Sequence, residues 1–171
     1  MVAIGPVLFI IGLLMSLLAI AMGLPAVADL ATGNPDWQVF AGSAAVSLFV
    51  GVGLMLTTRT GMHTNLNLRQ AFLLTTMSWV AVAAVGALPF AFSELDLSVS
   101  DAFFESMSGI TTTGSTVIVG LDFAPPGILL WRALLQWLGG IGIIVMALAI
   151  LPMLSVGGMQ LFQTEAGDTP D

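Results

Sequence analysis

Cysteine is absent from the 171 residues, and so is lysine. Without cysteine the chain holds no disulfide and no thiolate metal site. Three arginines face ten acids, for a net charge of −7. So little positive charge makes nucleic acid an unsuitable partner. Histidine occurs once, as His63 in a polar stretch without metal co-ligands, and reads as a solvated loop residue. Charge of either sign is scarce, at 8% of residues. A soluble domain carries roughly 25% and needs it to cover a water-facing surface. What fills the chain instead is apolar: 57% of residues are hydrophobic, and the mean hydropathy is +1.04. These proportions imply an integral membrane protein built of α-helices. Catalysis within a membrane needs paired acids, a histidine–metal set or an activated nucleophile. The spans offer only Glu105 and Arg132, and Ser108 has no base in its local sequence. The chain does not read as an enzyme.

Charge-free runs mark the spans. The first runs from Val2 to Leu24, long enough for a bilayer. Ala26-Val27-Ala28 resembles a signal-peptide cleavage site, but no basic region precedes the run and it exceeds a usual signal core, so a retained helix is favoured. Pro25 and the stretch 31–35 then make a loop, with Gly33, Asn34 and Pro35 as breakers. The second span, Trp37 to Thr57, lies between Asp36 and Arg59 and starts on an interfacial aromatic. A polar loop at 58–67 follows. The third span, Gln70 to Phe92, lies between Arg69 and Glu94, with Pro89 as a terminator or mild kink near its end. The last runs from Gly127 to Leu151, where Pro152 and Gly157-Gly158 are expected to break it. An acidic polar tail ends the chain.

Between the third and last spans lies SDAFFESMSGITTTGS, residues 100–115. Ser100 is a candidate N-cap, Asp101 suits the positive end of a helix, and Gly109 is a natural stop. A helix over 101–108 would be about 12 Å long. A hydrocarbon core is about 30 Å thick, so such a helix enters only part-way, and the backbone beyond it must line a polar cavity. Thr111, Thr112 and Thr113 favour an extended backbone, and Gly114 permits a turn with φ > 0. The helix then aims its negative end toward carbonyl oxygens, the ligands that replace a cation's water shell. Threonines bonding between helices are the plainer reading, but Gly109 and Gly114 bracket these and no long helix surrounds them. Span, short helix, turn and span is the order of the pore unit in potassium-channel-like proteins.

Arg59 and Arg69 share one loop, which assigns that loop and both chain ends to the cytoplasm. Arg132 then lies one turn into the last span from the outer side and needs a carboxylate. Asp101, Glu105 and Asp122 are candidates. Glu105 is preferred, because it stands within the short helix and otherwise has no partner in a low dielectric. Gly139, Gly140 and Gly142 read as close helix packing rather than a hinge.

Residues 86–90 (GALPF), 101–115 (DAFFESMSGITTTGS), 129–152 (LLWRALLQWLGGIGIIVMALAILP) and 157–162 (GGMQLF) resemble the Trk/Ktr/HKT superfamily of potassium transporters, and within it the TrkH-type membrane subunits. Together these stretches cover most of the chain after Arg69. The resemblance implies potassium uptake across the bacterial cytoplasmic (inner) membrane, through a pore of four unequal M1–P–M2 repeats. It divides the chain into a two-helix transmembrane extension (1–60), the first repeat with its re-entrant pore helix and filter loop (66–160), and the tail (161–171). It assigns K+, the transported ion, to backbone carbonyls of Thr112 and Thr113, with Thr111 and Gly114 adjoining. It also implies a cytoplasmic nucleotide-binding regulatory partner of the TrkA or KtrA kind. One repeat cannot enclose an ion. The chain is therefore expected to be the N-terminal part of a longer protein, with a homotetrameric pore or a non-transporting scaffold as alternatives.

The orientation is testable. A cysteine at Asn65 is expected to resist membrane-impermeant thiol reagents in intact cells, and ready labelling there reverses the topology.

Overall fold

The computed structural model describes residues 4–59 and 68–165. His63, most of its loop and residues 166–171 of the tail lie outside the described residues. Seven α-helices follow in order: α1 (Gly5–Ala21), α2 (Gly23–Thr32), α3 (Trp37–Thr57), α4 (Leu68–Gly86), α5 (Leu88–Phe92), α6 (Val99–Ile110) and α7 (Pro126–Glu165). A 3-10 turn, Leu121–Phe123, precedes α7, and there is no strand among the described residues. Four helical stretches are long and apolar enough to cross a membrane: Gly5–Thr32, Trp37–Thr57, Arg69–Phe92 and Pro126–Val145. Of the spans read from the sequence, the second has the bounds expected, and the third matches within a residue.

The other two depart at their prolines. Pro25 does not open a loop: it lies in the first turn of α2, where a missing N–H breaks no helical bond. The helix breaks instead for one residue at Met22 and resumes, with Ala26 N–H donating to the Met22 carbonyl. The true stop is Gly33, a left-handed C-cap with φ 75°. Nor do Pro152 and Gly157-Gly158 end α7, whose backbone is helical through them to Glu165. An interior proline removes one helical bond and bends a helix, and membrane helices tolerate this when neighbouring groups re-satisfy the backbone.

Residues 1–140 form one compact unit, and the rest of α7, from Ile141, belongs to a second. Within the first unit α1 packs chiefly on α3. Their backbones meet at two glycines: a β-carbon on Gly12 would lie 2.6 Å from the Gly51 carbonyl, and one on Gly51 2.7 Å from the Gly12 carbonyl. Small residues that let helices touch take the place of the hydrophobic drive, which lipid removes. Outward faces stay apolar, as with Phe49, 81% exposed, in α3.

The start of α7 is tied to the earlier helices by three contacts. Trp131 is fully buried, meets Phe40 of α3 edge-on with ring centroids 6.2 Å apart, and donates its Nε1–H to the Gly86 carbonyl at 3.0 Å, where α4 gives way to α5. Asp29 of α2, also fully buried, accepts from Gly127 N–H at 2.6 Å. It thereby places a carboxylate at the first turn of α7, where the helix dipole favours negative charge. Asp36 sits just before α3 and accepts from Glu94 N–H at 3.3 Å. Burial pushes its carboxyl above the usual range. The Glu94 N–H opposes that shift, while the charges of Glu94 and Asp29 add to it.

Candidate functional site

The short helix α6 is 12 residues long, about 18 Å at the usual rise and well below a membrane's thickness. Its N-cap is Ser98, not Ser100: the Ser98 backbone is extended, and its hydroxyl accepts from Asp101 N–H at 3.2 Å while donating to Asp101 Oδ2 at 2.7 Å. Both serines suit a cap. The extended backbone at Ser98 decides between them, since a cap residue must stand outside the helical dihedrals.

The other end also runs on, to Ile110, with Gly109 inside the helix. Gly109 is a packing glycine, because a β-carbon there would lie 3.1 Å from Leu135 Cβ of α7. The threonine run is not extended throughout. Thr111 caps the helix with φ −82° and ψ 2°, and Thr112 has φ 59°. Thr113 N–H donates to the Ser108 carbonyl at 3.0 Å and Thr112 N–H to the Gly109 carbonyl at 2.9 Å. This pair of bonds is the Schellman closure, with Thr112 in the left-handed position that glycine normally takes. A β-branched residue at positive φ is strained by about 1–3 kcal/mol, and such strain gathers at functional sites. Gly114 follows at φ 78°, the turn read from the sequence.

Positive φ thus recurs at alternate residues, 112 and 114. In a regular strand successive groups face opposite ways. Reversing φ at every second residue turns alternate peptide planes over, which lets consecutive carbonyls face one side.

Glu105 holds the loop beyond the turn. It is 1% exposed, yet both its carboxylate oxygens are hydrogen-bonded. One carboxylate oxygen accepts from Thr116 Oγ1 and from Val117 N–H; the other accepts from Arg132 Nε at 2.9 Å. Three donors from two elements therefore surround one buried charge. Ser108 adds a second tie, its hydroxyl donating to the Ser115 carbonyl at 2.7 Å. Of the other acids considered for Arg132, Asp101 caps its own helix and Asp122 is exposed. Thr116 is missing from the sequence reading. Its only signal is position, eleven residues after Glu105, and nothing local shows that the chain doubles back there.

Helix α7 closes the site from one side. A β-carbon on Gly139 would collide with the Ile110 carbonyl, and one on Gly140 would lie 3.9 Å from Thr112 Cγ2. These glycines pack as small residues do, whereas Gly142 has open space beside it. No group of three or more histidine, cysteine or carboxylate side chains is placed to hold a metal among the described residues.

A family model described as "TrkH: Cation transport protein" matches residues 36–169. The chain belongs to the TrkH family. It is 43% identical over 168 residues to the Trk system potassium uptake protein TrkI of Halomonas elongata, covering 98% of this chain and 34% of that protein. It is 46% identical over 157 residues to the TrkH of Salmonella typhimurium, covering 91% and 32%. The solved structure of the potassium transporter TrkH from Vibrio parahaemolyticus superposes with a TM-score of 0.85 at 41% identity, over 91% of this chain and 33% of that one. The chain spans about a third of the length of the TrkH-family relatives it matches.

In this TrkH-family chain Glu105 and Arg132 are expected to behave as one unit. Losing one partner of a buried pair costs about 3–5 kcal/mol. Glu105→Gln and Arg132→Gln, each in a full-length protein carrying this segment, should each lower the yield and melting temperature of the folded form, and the double variant should lose less than their sum. Strict additivity would show that the pair does not interact.

Proposed function

We propose that residues 111–114 form one quarter of a potassium filter, in a TrkH-type subunit that takes K+ up across the bacterial inner membrane. On this reading α1–α3 are the extension. The span ending in α5 is M1, α6 is a re-entrant pore helix, and α7 is M2. The carbonyls of Thr112 and Thr113, with Thr111 and Gly114 adjoining, replace part of the ion's water shell. The observation that carries the reading is the paired positive φ at Thr112 and Gly114, held between the helix closure and the Glu105 anchor. A scaffold gains nothing from holding a threonine in that conformation. Selectivity for K+ over a divalent ion fits the lack of a carboxylate in the turn, since divalent ions call for charged oxygens.

Three more such segments must face the same ion. They come from the remainder of a longer chain or from further copies of this one. The loop around Arg59 and Arg69 and both chain ends lie on the cytoplasmic side, where a nucleotide-binding regulatory subunit of the TrkA or KtrA kind docks. The filter then opens outward.

The test is potassium uptake by the full-length protein in cells lacking other uptake routes. Gly114→Val should abolish uptake or its preference for K+, because a branched side chain resists positive φ. Thr112→Ser keeps the main-chain ligand and should retain most activity. Normal, potassium-selective uptake by Gly114→Val removes the basis for a filter here.

A further inference from the structure

We propose that Gln136 is a positioning residue for the Gly114 turn and sets how strictly this quarter of the filter prefers K+ to Na+; this rests on the filter reading above. Arg132, Gln136 and Gly140 recur at every fourth residue of α7 and so lie on one helical face. The outer two flank the pore-helix end: Arg132 bonds Glu105 of α6, and a β-carbon on Gly140 would lie 3.9 Å from Thr112 Cγ2 in the loop. Gln136 lies between them. A β-carbon on Gly114 would sit 3.5 Å from Gln136 Nε2, the one atom within van der Waals reach.

Gln136 is half-buried and makes no hydrogen bond to protein among the described residues. Its neighbours Leu134, Leu135, Trp137 and Leu138 are apolar, as a membrane helix requires. A primary amide carries two donors and an acceptor oxygen, and leaving them bare at membrane depth is costly. The group that the amide abuts is the turn, at a residue with no side chain to brace it. There the amide limits how far the peptide planes flanking Gly114 rotate, and it offers N–H donors to that backbone or to water upon it. Potassium preference depends on the number and direction of carbonyl dipoles in a pliant filter. A stop against rotation sharpens it.

The experiment compares K+ and Na+ uptake by the full-length protein, normalised to inserted protein, in cells lacking other routes. Gln136→Met keeps the reach and removes the amide. It should lower the K+ over Na+ preference about five- to tenfold at unchanged protein amount. Gln136→His restores an N–H at similar reach and, measured at pH 8 where imidazole is neutral, should recover the preference to within about twofold. Unaltered preference in Gln136→Met overturns the proposal. So does a loss of inserted protein in Gln136→Met and Gln136→Leu alike, which would mark a structural role only. Gly114→Val run alongside separates the two claims: a selective Gln136→Met beside a defective Gly114→Val removes Gln136 alone, whereas a selective Gly114→Val removes the filter reading.

Discussion

A carboxylate buried away from water must be matched by donors, and Glu105 is the place where this chain meets that demand. Its two oxygens take the Arg132 guanidinium, the Thr116 hydroxyl and the Val117 N–H. An isolated ion in such surroundings would cost several kcal/mol, by rough reckoning more than a single surface contact returns. Because its donors come from α7 and from the returning loop, satisfying the charge fixes α6, the loop and α7 together. The same charge that makes the segment expensive to bury makes its shape specific.

The loop's shape follows from that anchor and from the closure of α6. The Schellman bonds satisfy the last helical carbonyls and force Thr112 to positive φ. The Ser108–Ser115 bond and the Glu105–Val117 bond then hold the chain as it leaves. Close approach of α7 is possible because Gly109 and Gly139 carry no side chains where the helices meet. Asp29 and Trp131 fix where α7 begins, which settles the level at which Arg132 meets Glu105. Helices α2 and α3 therefore bear on the loop through α7.

Much of this was legible in the sequence, for a physical reason. Charges are so rare that each one marks a span boundary or needs a partner, so Asp36, Arg59 and Glu94 delimit helices, while Glu105 and Arg132 point to one another. Helix ends were less legible. Ser98 and Ser100 are chemically equivalent caps, and only the backbone around them chooses. Local propensity reads Gly109 and Pro25 as breakers, but packing against α7 and a place in the first turn of α2 let the helix continue; α7 likewise runs on through Pro152 and Gly157-Gly158. Thr112 ran against its own preference for an extended backbone, because the closure of α6 outweighs it. Thr116, Asp29 and Gln136 escaped notice because their roles depend on neighbours 11, 98 and 22 positions away, and no local pattern signals such contacts.

The central claim is that main-chain oxygens of the Thr112–Gly114 turn ligate the ion. The most direct measurement is anomalous diffraction from crystals of the full-length protein grown with thallium(I) in place of potassium. The account predicts an anomalous peak within about 3 Å of the Thr112 and Thr113 carbonyl oxygens, the distance at which carbonyls replace a potassium ion's water. A well-occupied peak elsewhere along the pore, with none at this turn, would contradict it.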